Sequence, residues 1–317
     1  MRRRRLLAGA AGLAGALPLT ARAQQARVAR VGVLITGDPE PSWSLFRKSM
    51  AALGHVEDRT VRYVFHSSDA NREKLAGHAN YLVSENVDVI VAILTPAILA
   101  ARKATTKIPI VFSGGVPETG TVRNLARPEG NLTGIYGATA QLAGKSIQLF
   151  REIKPTAKSI GVLLNAPDPF HIPLSRDIEA AGKAERIEII SLMLEKPQEL
   201  DAAFASLAAR GVDGVAVQPS LPLREAALLA LRHRLPALSY RREFAELGGL
   251  LGYGANQPEI YRVLARYTDR VLKGAQPADL PVKIASRFDL VVNQKTAKAM
   301  GLSLPPIFLA RADEVIE

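Results

Sequence analysis

The chain has 317 residues, no cysteine and a formal net charge of +11. That length suffices for two α/β lobes with sizeable cores, and the lack of cysteine excludes thiol catalysis, disulfides and a lipoprotein anchor. Beyond the N-terminal segment the charges are scattered, with no Lys/Arg run and no interleaved aromatics, which argues against a nucleic-acid partner.

Residues 1–23 combine Arg2, Arg3, Arg4 and Arg5 with an apolar and small-residue stretch over 6–19, then Ala21, Arg22 and Ala23 as an A-x-A cleavage site. The apolar part is shorter than the roughly 20 residues that cross a bilayer. It reads as a cleaved signal peptide, by the Sec or twin-arginine route, with Gln24 as the first mature residue and the periplasm as the destination. Taking its five Arg from the 41 basic residues leaves 36 against 30 acidic ones, a net charge of +6.

Residues 31–35 form a first apolar strand, followed by a loop at Thr36 and Gly37. Ser42 is placed to cap a helix with Leu45, Phe46, Met50 and Leu53 at helical spacing, which Gly54 stops. Residues 60–66 alternate as a strand near a sheet edge does, and 71–85 form a polar-faced helix. The continuous branched run 89–94 suits a parallel strand covered on both faces. Thr95 and Pro96 then open a helix, with Thr95 as its cap. Strand 108–112 completes a right-handed βαβ unit that ends at Ser113 and Gly114. Residues 122–126 suggest a short helical turn, and 132–136 a strand leading out of the first lobe.

A second series follows: helix 140–153, strand 159–164, helix 174–184, strand 187–194, helix 198–210, strand 212–217, helix 223–234 and strand 237–240. Residues 248–254 read as a strand returning toward the first lobe, 258–273 as an amphipathic helix, 288–293 as a last strand and 296–300 as a last short helix. Two such alternating sets predict an α/β protein of two doubly wound, Rossmann-like lobes joined by a hinge. The expected lobes are 24–136 with 255–285, and 137–254 with 286–317, so that the chain crosses near 136, 254 and 285.

Several ordered runs resemble a known family. They are RVGVL at 30–34, LTPA at 94–97, IPIVF at 108–112, LARP at 125–128 and GNLTG at 130–134. They continue with RLPA at 234–237, GGL at 248–250, LKGA at 272–275, ADLP at 278–281, NQKTAKAMGL at 293–302 and LARADEVI at 309–316. Across the whole mature chain these resemble the ABC-transporter substrate-binding proteins that include tryptophan/tyrosine-type binders, with the type I periplasmic-binding fold. The resemblance implies a monomeric receptor that delivers a small solute to an ABC permease in the inner membrane. One departure stands out: Pro117 and Glu118 occur where such sequences often read Asp-Pro, which displaces a carboxylate available to a ligand ammonium. A receptor of the same fold that signals to a membrane partner is the alternative.

Open α/β sheets bind ligands at strand C-termini. The candidate ligand residues are therefore Thr36, Gly37, Thr95, Pro96, Ser113 and Gly114 in the first lobe, and Asn165, Asp168, Gln218, Ser220, Tyr240 and Arg241 in the second. A helix N-terminus behind Thr95 favours an anionic oxygen, and Arg241 is a candidate partner for a carboxylate. The expected ligand is a small carboxylate-bearing solute, with an amino acid first. Trp43 reads as cover for a helix face, and His66 and His171 as loop residues near the strand ends. No G-x-S-x-G or Walker pattern occurs and the five His lack ligand spacing, so neither an enzyme, a metal nor a cofactor is expected.

Overall fold

The computed structural model describes residues 27–317; the export segment read at 1–23 lies outside them. In chain order the first elements are β1 (Ala29–Ile35), α1 (Ser42–Ala51), β2 (Val61–Ser67), α2 (Arg72–Ser84), β3 (Val89–Ile93), α3 (Thr95–Ala104), β4 (Ile110–Ser113) and β5 (Leu132–Tyr136). A second run comprises α4 (Thr139–Ile153), β6 (Ser159–Asn165), α5 (His171–Glu185), β7 (Glu188–Leu194), α6 (Leu200–Ala209), β8 (Gly214–Val217), α7 (Leu223–Arg232), β9 (Ala237–Ser239), α8 (Glu243–Glu246) and β10 (Leu251–Ala255). The last part holds α9 (Gln257–Leu272), β11 (Lys283–Ile284), β12 (Phe288–Asn293), α10 (Gln294–Ala299), α11 (Pro306–Leu309) and β13 (Glu314–Ile316).

The strands form two sheets, ordered β11-β5-β4-β3-β1-β2 and β13-β12-β10-β9-β8-β6-β7. The first is parallel throughout, and in the second only the β10–β12 pairing is antiparallel. Within each sheet the five leading strands share one doubly wound order, with a switch point between β1 and β3 and another between β6 and β8. Alternation along the strands explains why each sheet carries two cores. Val31, Val33, Val89 and Val91 face α1 and α9 through Phe46, Met50 and Leu264. Leu34, Ile90 and Ala92 face α2 and α3 through Leu82 and Ile98. In the second sheet Ile160 and Val162 meet Phe150 and Ile178, while Leu163 and Val215 meet Phe204 and Ala230. Fully burying one such side chain contributes about 1.5–3 kcal/mol.

The polypeptide passes from one sheet to the other at 136–139, 255–257 and 284–288. Strand β5 pairs with β4, so it stays in the first sheet instead of leaving it. Strand β10 pairs with β9 and β12, so the return toward the first lobe begins only after it, with α9. No helix forms over 122–126.

Candidate ligand-binding cleft

The C-terminal edges of the two sheets face each other and touch. Arg241 Nη2 donates to Ser42 Oγ at 3.1 Å. Two acidic side chains of the first half accept from helix N-termini of the second: Glu118 from the Ala140 N–H at 2.9 Å and Asp38 from the Arg224 N–H at 3.4 Å. Carboxylates suit those positions because the helix dipole is positive there. The Phe170 ring lies against Gly115 so closely that a Cβ on that glycine would sit 2.2 Å from the ring. Between these contacts is a cavity of about 600 Å³ counting its open mouth.

One wall comes from the ends of β3 and β4. The apolar run of β3 stops at Ile93 because Leu94 adopts φ 70° and ψ 151°, a conformation that costs a non-glycine residue roughly 1–3 kcal/mol. Leu94 is therefore the helix cap, and Thr95 is the first helical residue. The expected capping role of Thr95 is thus corrected: its hydroxyl accepts from the Gly115 N–H at 3.2 Å and ties the β3 and β4 ends together. The N–H groups of the first turn are nearly all committed. Pro96 has none, Ala97 donates to Thr36 Oγ1 at 3.1 Å and Ile98 to the Leu94 carbonyl at 3.2 Å. Thr95 N–H remains, and Gly114 keeps it approachable, since a Cβ there would lie 3.1 Å from that nitrogen and 2.7 Å from Ile98 Cδ1.

The opposite wall comes from the ends of β6, β8 and β9. Asp168 is 2% exposed and lines the cavity. Its carboxylate accepts from the Phe170 N–H at 3.0 Å, Gln218 Nε2 at 2.9 Å and Ser220 Oγ at 2.6 Å. Asn165 supports this set, donating from Nδ2 to Ser220 Oγ at 3.1 Å and from its N–H to Gln218 Oε1 at 2.9 Å. Burial raises the Asp168 pKa while the three hydrogen bonds oppose the rise; among the described residues no Lys or Arg pairs with it. Tyr240 is also buried on this wall, with its hydroxyl sealed within the second-sheet core and without a hydrogen-bond partner among the described residues.

Arg241 departs from the expected role of an available cation. Its Nε donates to Glu243 Oε1 at 2.6 Å, and its Nη2 contacts the same carboxylate as well as Ser42. Burial disfavours its charge, yet the Glu243 carboxylate outweighs this and holds its pKa above the usual value. The charge is thus spent inside the protein. Ser42, expected as a helix cap, makes no cap bond and instead accepts from Arg241.

Of the sequence-predicted residues, Thr95, Ser113, Gly114, Asp168, Ser220, Tyr240 and Arg241 line this cavity. Gly37 lines a smaller neighbouring recess, whereas Thr36, Pro96 and Asn165 line a separate cleft near Glu195 and Lys196. Gln218 acts from behind through Asp168. Sequence reasoning passed over Phe170, Gln257 and Ile260, which also line the cavity. Ile260 lies on the buried face of the amphipathic helix α9, which gives no local sign of a ligand contact, but the strand-end rule applied to β10 points at Gln257. Trp43 packs on Tyr63 and Phe65, at ring distances of 5.1 and 4.8 Å, and His66 stacks on His78 at 4.6 Å. Neither they nor His171 line the cavity.

Two doubly wound halves closing their strand ends on one cavity define a bilobed solute-binding protein. The family model described as ABC transporter substrate binding protein matches residues 42–316, and the chain belongs to that family. It is a binding protein, not an enzyme. The chain is similar to a tyrosine-binding protein of Clostridioides difficile, 24% identical over 85% of this chain and 80% of that one. Among solved structures it is similar to a conserved domain protein from Vibrio cholerae, at TM-score 0.83 and 25% identity, covering 91% of this chain and 100% of that one. An ABC domain from Streptococcus pneumoniae in complex with L-Trp gives TM-score 0.80 and 24% identity, covering 91% and 99%.

Proposed function

We propose that this chain is the periplasmic receptor of an ABC importer that captures an aromatic α-amino acid between its lobes and passes it to a membrane permease. The observation that carries the ligand class is Asp168, a buried carboxylate on the cavity wall that no Lys or Arg pairs with among the described residues and whose nearest potential cation is His171, while Arg241 is neutralised by Glu243. The lining therefore has a negative bias, and an ammonium group relieves it. Thr95 N–H and the Ser113 hydroxyl suit the ligand carboxylate, and Phe170, Leu94 and Ile260 suit an apolar side chain. The displacement of an acidic residue to Glu118 is thereby compensated from the other lobe. The tyrosine-binding relative and the L-Trp complex support the same class. In this reading residues 1–23 direct export, the monomer's lobes are 24–136 with 255–285 and 137–254 with 286–317, and they close by rotation about the three crossings.

Calorimetry with L-Tyr and L-Trp tests the reading. Wild type binds at least one of them, and Asp168→Asn weakens that binding by about 30-fold or more, as expected when one partner of a buried charge pair is lost. The folded-state pKa of Asp168 is raised, so its contribution to stability is present at low pH and is lost as pH rises through that value. Asp168→Asn removes that burden at pH 8 but keeps only one acceptor oxygen for the three donors around it, so its melting temperature without ligand is read beside the affinity to show that it folds. Unchanged amino-acid affinity in Asp168→Asn refutes the assignment.

A further inference from the structure

We propose that Ser42 and Tyr261 of the first lobe are positioning residues for ligand capture: without touching the ligand, they hold the Arg241 guanidinium of the second lobe across the cleft and so set how readily the lobes close. The inference rests on the two-lobe closure in the reading above and adds which groups tune it.

Several contacts converge on one guanidinium. Arg241 follows β9 in the second half, where Glu243 takes up its charge through Nε at 2.6 Å and through Nη2. The same Nη2 donates across the cleft to Ser42 Oγ at 3.1 Å. Ser42 begins α1, is 1% exposed and makes no helix-cap bond, so its hydroxyl is not needed to start the helix. The Tyr261 hydroxyl lies within hydrogen-bond reach of both Ser42 and Arg241. Tyr261 belongs to α9, and its ring is part of the same first-sheet core as Phe46. Two hydroxyls from different helices of one lobe thus meet a cation of the other. Gln257 adds a third neighbour: its Oε1 lies 3.5 Å from Nη2, and its Nε2 donates to the Ala255 carbonyl at 3.1 Å. The guanidinium therefore sits beside the crossing at 255–257.

The Arg241–Glu243 pair lies within one lobe and survives separation of the lobes. The contacts to Ser42 and Tyr261 join different lobes and last only while these meet. A hydrogen bond to a charged group is worth about tenfold or more in an equilibrium. Only the closed fraction binds at full strength, so the apparent affinity falls with that fraction. Arg241 and Gln257 line the cavity, whereas Ser42 and Tyr261 do not. Loss of either hydroxyl therefore acts through the equilibrium between the lobes and not through a lost ligand contact.

Tyr261→Phe removes one hydroxyl and keeps the core ring, and Ser42→Ala removes the other without loss of a cap. Each variant is compared with wild type by solution scattering without ligand, by calorimetry with L-Tyr and L-Trp, and by melting temperature. Where ligand-free wild type is mainly closed, each variant is expected to have the larger ligand-free radius of gyration. Where it is mainly open, each variant binds the amino acid about tenfold more weakly. With saturating ligand the scattering curves of the three proteins coincide. Unchanged affinity together with unchanged ligand-free scattering overturns the proposal, whatever the melting temperature does, because the contact then belongs to the fold. A wild type that binds neither amino acid overturns the ligand reading. Ligand-free scattering then decides the proposal alone, a larger radius in the variants supporting it and an equal one overturning it.

Discussion

The two walls of the cavity differ in kind. The wall built by β3 and β4 presents Leu94, Thr95, Ser113, Gly114 and Gly115, with no ionisable side chain. The wall built by β6, β8 and β9 presents Asp168, Ser220, Tyr240 and Arg241, an acidic and a basic side chain among them that do not pair with each other. The first works through backbone: a strained Leu94, an available Thr95 N–H and two glycines that other groups approach closely. The second works through side chains held by their own network before any ligand arrives. In the proposed reading the second half meets the ligand ammonium with a charged side chain, whereas the first half meets the carboxylate with a backbone N–H and a hydroxyl and otherwise supplies a shaped cover. Preorganised donors and acceptors lose less entropy on binding than groups that must be ordered by the ligand.

The largest expected effect concerns Arg241, the residue that most resembles a ligand clamp but whose charge is taken up by Glu243. Arg241→Ala leaves the 5%-exposed Glu243 carboxylate without its cation. Breaking a buried pair on one side costs about 3–5 kcal/mol. Urea denaturation should show a loss of that order, and replacing both partners by Met and Leu should recover most of it. A variant of unchanged stability that has lost carboxylate ligands would return Arg241 to the role of anion receptor and blur the distinction between the walls.

Next in size is Gly115→Ala, which tests whether the first wall is a cover. The added methyl meets the Phe170 ring, a contact between the two halves and not within either. Overpacking of this sort costs about 1–3 kcal/mol, here charged to the closed arrangement. Ligand affinity should fall by about tenfold while the melting temperature without ligand stays close to wild type. Equal loss of stability in the ligand-free protein would show that the contact belongs to the fold and not to closure.

Much of this architecture is legible in the amino-acid order. Branched runs such as Val89–Ile93 marked the covered strands, the doubled βα series marked two sheets, and the strand-end rule led to Thr95, Asp168, Ser220 and Tyr240. What stayed hidden has two physical causes. Some contacts join residues far apart in the chain: Thr36 to Ala97, and Asn165 to Ser220, 61 and 55 positions away. A local capping rule therefore misassigned Thr95, because the first-turn acceptor, Thr36, comes from the loop after β1. Other elements, such as β11 and β13, are two or three residues long and carry no periodicity to read. The Glu243 partner of Arg241 stood two residues away in plain view, but its burial did not.

The smallest effect is the most specific, and it concerns one of the two places where an acidic side chain of the first half grips the second. Glu118 accepts from the Ala140 N–H at the start of α4, and its other oxygen has no partner among the described residues. Two influences oppose each other. The helix N–H groups of Ala140 and Thr139 favour the charged carboxylate, as does Arg176, while burial and Asp177 disfavour it. Burial is the largest and wins, so the pKa is raised from 4.5 to about 7. In the unfolded chain the group titrates near its ordinary value. Below about pH 4.5 it is protonated in both states, so its contribution to stability is fully present there, and it is lost as pH rises through about 7. Glu118→Gln mimics the protonated form at every pH. Its melting temperature should match wild type below about pH 4 and exceed it at pH 8, by about 2 °C or more for each kcal/mol recovered. If the helix N-terminus dominates instead, the glutamine variant melts lower than wild type at pH 8. That result would make Glu118 a charged cap, and the first half would then contribute charge to the interface as well as shape.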